Sequence, residues 1–201
     1  MKRLRIAPIV EGHGEVQSVR TLLQRIGHEL FSAEYIEVLQ PIREHRGSLS
    51  DQDALARRVE LAVLKLNTQP HRDDPKLILL LLDADDEKCC ELGPRLLSAA
   101  RKCRSDVDIA CVAANREYET WFAAAAESLQ EYLELEANDP APLEPEKMAA
   151  GKGWVQKRFR GTKYSPRVDQ PRMTAKMDLQ ICRLRSPSFD KLCREMAQRL
   201  R

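Results

Sequence analysis

Lys76-Leu77-Ile78-Leu79-Leu80-Leu81-Leu82-Asp83 is the stretch on which the fold turns. Six consecutive aliphatic residues close on an acid, with no alternation between apolar and polar positions. A strand with one wet face alternates, whereas a strand covered on both faces is apolar throughout. The run therefore reads as a central strand of a parallel sheet. It is far shorter than the roughly 20 apolar residues needed to cross a bilayer.

Upstream, Asp73-Asp74-Pro75 breaks the chain. Leu55, Val59, Ala62, Val63 and Leu66 lie at helical spacing and predict a helix capped by Ser50 or Asp51. Before it, Tyr35–Leu39 reads as a strand ended by Pro41, followed by a polar loop from Arg43 to Ser48. Leu4–Val10 reads as the first strand, where Pro8 favours an edge or a bulge because it has no amide to donate. After the turn Glu11-Gly12-His13-Gly14, the spacing of Val16, Val19, Leu22, Leu23, Ile26 and Leu30 predicts a helix to about Leu30.

Downstream, a helix from about Glu87 to Cys103 is open to interruption at Gly93-Pro94. The strand Asp108–Ala114 follows, then Asn115–Trp121 leading into an alanine-rich helix. Strands alternating with helices predict an α/β fold, a four-stranded mainly parallel Rossmann-like sheet flanked by helices. Residues 1–138 form this domain. Residues 139–201 form a proline-containing linker (Asp139–Pro145) and a helical region packing on the domain. That region is expected to hold a helix around Glu146–Phe159, a loop from Ser165-Pro166 to Pro171, and a final helix from about Phe189.

Over 201 residues, 33 Lys+Arg nearly balance 31 Asp+Glu, and the balance hides an asymmetry. From Gly151 onward there are 14 bases and 4 acids, so the preceding 150 residues hold 19 bases and 27 acids. A basic tail on an acidic body suits a polyanionic partner; it suits equally a solvated, ion-paired surface docked on that body. The absence of an N-terminal signal pattern leads us to expect a soluble, cytoplasmic protein without membrane association. The six cysteines (89, 90, 103, 111, 182 and 193) form no C-x-x-C pair and read as reduced structural thiols. There is no P-loop motif, hence no ATP site of that kind.

Acids collect where strands end: Glu11 after the first, Asp83 and Asp85 after the third. In an open α/β sheet, ligands bind beyond the carboxyl ends of the strands, at the switch point between neighbours. Two residues apart on an extended segment, Asp83 and Asp85 can project to one side. With Glu11 they would form a pocket of three carboxylates, costly unless a cation neutralises it; all-oxygen ligands select Mg²⁺, Mn²⁺ or Ca²⁺ over zinc. The plain alternatives are first-turn helix acids for Glu15 and Asp86 and an N-cap for Asp85.

Val10-Glu11-Gly12-His13-Gly14-Glu15 followed by Leu82-Asp83-Ala84-Asp85 resembles the TOPRIM domain of topoisomerases, primases, small ribosomal-RNA maturases and OLD-type nucleases. The chain is more closely similar to a family of small bacterial stand-alone TOPRIM-like proteins of uncharacterised function. The likeness runs through Pro41–Gly47, Asp83–Asp86, Arg116–Trp121, Lys163–Tyr164, Asp169–Pro171 and Ser186–Phe189. The resemblance implies that Glu11 is a metal ligand or general acid/base in phosphoryl transfer and that Asp83 and Asp85 are metal ligands. It further implies that Glu15 belongs to a second metal and that Glu119 is an extra ligand or organiser, the plain alternative for Glu119 being a helix N-terminal acid beside a packing tryptophan. It also implies a separate ATPase subunit as a possible partner.

Arg43 and Arg46, in the loop after the second strand, and Lys152, Lys157, Arg158 and Arg160 in the tail are candidates for nucleic-acid contact. The tail bases interleave with Trp154, Phe159 and Tyr164, which are either stacking platforms or core. Lys163 and Lys176 are the candidate catalytic lysines for a developing phosphate charge. His13, between two glycines beside Glu11, could touch metal or phosphate, though a loop histidine without a partner usually does neither; His28, His45 and His71 carry no usable pattern. Together these readings lead us to expect a Mg²⁺-dependent nuclease serving bacterial defence or nucleic-acid maintenance. The competing expectation is a non-catalytic TOPRIM-like module that binds nucleic acid or an ATPase partner.

Overall fold

The structure, a computed structural model, describes residues 2–68 and 74–200. The break expected at Asp73-Asp74-Pro75 therefore begins at a residue outside those described. Along the chain run β1 (Arg3–Val10), α1 (His13–Arg25), β2 (Tyr35–Val38), β3 (Ile42–Arg43), α2 (Arg46–Leu49), α3 (Gln52–Leu66) and β4 (Lys76–Asp83). They are followed by α4 (Cys89–Cys103), β5 (Ile109–Ala114), α5 (Glu119–Ala124), α6 (Gly151–Arg158), α7 (Pro166–Thr174), α8 (Leu179–Arg185) and α9 (Pro187–Ala197). The fold is α/β, with a parallel, Rossmann-like sheet ordered β2-β1-β4-β5.

The sheet has a fifth strand that the periodicity did not announce. β3 pairs with the carboxyl end of β1, Ile9 opposite Ile42 and Val10 opposite Arg43, where a polar loop was expected. Its two residues explain Pro8. The β2 pairing ends at Ile6 and the β3 pairing begins at Ile9, so on that side of β1 the ladder lapses at the proline, which has no amide to offer. A proline in a central strand is accommodated by a gap in its neighbour.

β4 is covered on both faces, as its continuous apolar run requires: no residue from Leu77 to Leu82 is more than 1 % exposed. Leu77, Leu79 and Leu81 join one cluster with Leu4, Ile6, Val112 and α1. Ile78, Leu80 and Leu82 join a second with Val59, Leu92 and Leu96 of α3 and α4. Beyond the linker, Val155, Met173, Phe189, Leu192 and Met196 add their side chains to the first cluster, so residues 139–200 form one covering layer of the sheet.

Within that layer the expected loop from Ser165 to Pro171 is helix α7. Pro166 occupies its first turn, where a missing amide costs nothing, and Pro171 lies inside it at the loss of one hydrogen bond. Pro94 is likewise carried inside α4, which is not interrupted. The helix expected around Glu146–Phe159 is shortened to α6, and the first helix ends as a π-helical turn, Ile26–Leu30. Among the described residues, no helix is long and apolar enough to cross a membrane.

Candidate functional site

Since β1 and β4 are paired neighbours, Val10 opposite Leu81, their carboxyl ends open side by side. A cleft of about 450 Å³ lies there, lined by Glu11, Glu15, Asp83, Asp85, Glu117 and Glu119, with His13, Lys152 and Arg167 among the remaining lining residues. Glu11, Glu15, Asp83, Asp85 and Glu119 are thus brought to one cavity from β1, α1, β4, the turn after it and α5. Lys152 is the only one of the proposed nucleic-acid-binding residues that lines it.

Burial sets the electrostatics. Asp83 accepts one hydrogen bond, from the Tyr118 amide at 2.8 Å. Burial, then Glu15 and Glu119 nearby, push its carboxyl well above the ordinary aspartate range. Burial likewise raises Glu119, to about 7, although the Tyr164 hydroxyl donates to it at 3.0 Å. Glu11 is raised by burial, against a hydrogen bond from the Arg46 amide, and its Oε2 is buried without a hydrogen-bond partner among the described residues. Glu15 accepts from Gln170 Nε2 at 3.1 Å, and the other terminal atom of that side chain, Gln170 Oε1, is buried without a partner among the described residues.

Two glycines let these groups approach. A Cβ on Gly12 would stand 2.2 Å from Glu15 Oε2, and one on Gly14 would stand 1.7 Å from Gln170 Oε1. Neither glycine is needed for backbone twist: Gly14 leaves room for the buried Gln170 and the Pro166 carbonyl, whereas at Gly12 only the end of the Glu15 side chain would have to move.

Asp85 departs from its expected geometry. β4 ends at Asp83, and Asp85 turns with φ 47°, its amide donating to the Arg116 carbonyl at 2.8 Å. Arg116 is itself at φ 63°. Backbone in the left-handed region is uncommon for residues other than glycine, and here it shapes two adjoining loops at the cleft. Asp85 and Asp83 are not alternate residues of one strand; they reach the cleft by different routes. Asp85 is also not unpaired, because Arg46 meets it at 2.9 Å and donates to the Ala84 carbonyl at 2.8 Å.

The guanidinium of Arg46, a candidate for nucleic-acid contact, is thus engaged by the protein. Arg158 is engaged too: it bonds Asp139 and lies 4.2 Å over the Trp154 ring. Arg160 donates to the Gln130 carbonyl at 2.8 Å. Arg43, Lys157, Lys163 and Lys176 are exposed and do not line the cleft. Tyr164 is buried, with its ring against Phe159, and acts on Glu119 and not as a stacking platform. Glu117 and Arg167 line the site and Gln170 bonds Glu15 within it, although none was singled out as a site residue from the sequence; Glu117 and Gln170 lie in segments that carry the family likeness. Glu117 stands two residues before Glu119, in the same Arg116–Trp121 block; it accepts the Lys152 amide at 2.8 Å. Arg167 follows a Ser-Pro helix start whose prolines read as loop.

The donor set is all oxygen, as Mg²⁺ and Mn²⁺ prefer. Among the described residues, no three His, Cys, Asp or Glu side chains stand together in an arrangement ready for a metal. Carboxylates with no cation between them repel, so separation is what electrostatics favours. The orphan oxygen of Glu11 and the raised carboxyl of Asp83 fit a site that gains by taking up a cation.

A family model described as a domain of unknown function (DUF4276) matches residues 10–197, a span that includes every acid of the cleft. No curated protein and no solved structure matches the chain.

Proposed function

The chain belongs to the DUF4276 family, and we propose that it is a divalent-cation-dependent phosphodiesterase acting on nucleic acid. The observation that carries the proposal is a set of carboxylates gathered beyond the carboxyl ends of β1 and β4, Glu15 and Glu119 buried and Asp83 half-buried, without neutralisation by a neighbouring cation. Asp83, Glu15 and Glu119 have no ion-pair partner among the described residues. A fold retains such a cost where a ligand relieves it. The likeness of the Glu11 and Asp83-x-Asp85 segments to TOPRIM sites supports the same reading.

Glu11, Asp83 and Asp85, with Glu15 and Glu119 beside them, would hold Mg²⁺ or Mn²⁺. When bound, such an ion acidifies water and offsets charge on the phosphodiester oxygens. Glu11, whose carboxyl burial raises, would serve either as a ligand or as the group that takes a proton from the attacking water or hydroxyl. Tyr164 orients Glu119, and Gln170 orients Glu15.

The test is incubation of the purified protein with plasmid, single-stranded DNA and RNA, with Mg²⁺, with Mn²⁺ and with EDTA. Cleavage is expected only with metal. Asp83→Asn, which keeps an acceptor for the Tyr118 amide, should lower the rate by on the order of 100-fold or more. Inert wild type, or undiminished cleavage by Asp83→Asn, overturns the proposal; salt-sensitive binding without turnover would point to a non-catalytic module.

A further inference from the structure

α1 and α7 lie side by side and run in the same direction. Gly14 approaches Pro166 and Gln170 at one end, and at the other Arg25 donates to the carbonyls of Thr174 and Met177 at 2.8 and 2.9 Å. Both helices begin at the cleft, where His13 and Arg167 line it, and lead away from it. The exposed residues of α1 are His13, Gln17 and Arg20; those of α7 and the residues just after it are Arg167, Val168, Arg172, Ala175 and Lys176. No carboxylate is among them.

Elsewhere cations are largely consumed by the protein. Arg25, Arg104, Arg116, Arg185 and Arg199 are each in an ion pair. By contrast, the side chains of Arg20, Arg167, Arg172 and Lys176 have no hydrogen-bond or ion-pair partner among the described residues. Four unpaired charges on this face, with the exposed Glu29 that follows α1 held in an ion pair by Arg25, raise a local positive potential beside the acidic cleft. Arg167 also sits in the first turn of α7, where the helix dipole disfavours a cation and favours the anion it would hold.

We infer that this α1–α7 face is a track for the backbone of a nucleic-acid strand whose scissile phosphate lies in the cleft. The inference rests on the reading of the cleft given above and extends it from a phosphodiester to a polymer. Arg167 to Lys176 spans about 13 Å along a helix, or about four phosphates at the spacing of one strand of a duplex. The chemistry recognised is the repeating phosphate, which makes the contact independent of sequence and sensitive to salt.

Fluorescence anisotropy with a labelled single-stranded DNA oligonucleotide, in EDTA so that nothing is cut, reads the track directly. The triple variant Arg167→Glu, Arg172→Glu and Lys176→Glu should weaken binding by about 10-fold or more. It should also lower the slope of log K against log salt by about 0.7 for each phosphate left without its cation. Arg57→Glu, an exposed position of α3 on the opposite face of the sheet, should bind as wild type. Because all the changed side chains are exposed, circular dichroism should show unchanged folding. Wild-type affinity in the triple variant, or equal binding of a polyglutamate chain of the same length, overturns the inference. Metal-dependent cleavage that ignores the triple change removes the track and leaves the cleft. Binding lost on charge reversal, in a protein that never cleaves, leaves the track and removes the hydrolase.

Discussion

Glu119 shows what a single buried acid does here. Burial raises its carboxyl from 4.5 to about 7, so between those values the folded chain keeps a proton that the unfolded chain has released. Folding stability must then fall as pH rises through that window, because the native state binds the extra proton. The penalty is fully present above about 7 and absent below about 4.5. Its size is on the order of 3 kcal/mol at 1.36 kcal/mol per unit. Urea unfolding in EDTA should therefore show lower stability at about pH 8 than at about pH 5. Glu119→Gln should flatten most of that difference, leaving the part that belongs to Asp83, which burial raises in the same direction. An unchanged pH slope in Glu119→Gln would mean that the carboxyl is wet and ordinary.

At the scale of elements, the contact between α1 and α7 depends on a missing side chain. Gly14 is buried, and its Cα faces the fully buried Gln170. Gly14→Ala gains helix propensity, about 1 kcal/mol, but drives a methyl into Gln170 Oε1 and close to the Pro166 carbonyl at 3.0 Å. Overpacking of this kind costs about 1–3 kcal/mol, so the net expectation is destabilisation. The double variant Gly14→Ala with Gln170→Ala should recover part of that loss, because the side chain in the way is gone. Thermal denaturation of the two variants checks this; a Gly14→Ala protein as stable as wild type would show that α7 is not pressed against α1.

At the scale of the molecule, the basic C-terminal quarter supplies a face of the core and a wall of the cleft. Val155, Met173, Phe189, Leu192 and Met196 pack into the same cluster as Leu77, Leu79 and Leu81. Removing residues 151–201 would uncover that face of the sheet, at a cost of about 25 cal/mol for each square ångström of apolar surface left wet. The truncated chain should lose cooperative unfolding and near-ultraviolet dichroism. A soluble, cooperatively folding 1–150 fragment would make the tail an appendage. The same deletion takes Lys152, Tyr164, Arg167 and Gln170 from the cleft, so such a fragment would also report how much of the site stands on the strand ends alone.

Local pattern was enough for four strands of the sheet and for Glu11 and Asp83 at strand ends, not for β3 or for the turn that carries Asp85. The continuous run Leu77–Leu82 could only be a doubly covered strand, and a strand of that kind delivers Asp83 to the open end of a parallel sheet. Periodicity could not see β3, which is two residues long, nor α7, whose two prolines read as loop. Tertiary packing alone decided which charges are neutralised within the protein. Arg46 is drawn to Asp85 and Arg158 to Asp139 and Trp154, while Arg167 has no ion-pair partner among the described residues. The physical reason is range: hydrophobic periodicity is a property of neighbours along the chain, whereas ionisation and pairing depend on distances between residues that only folding brings together.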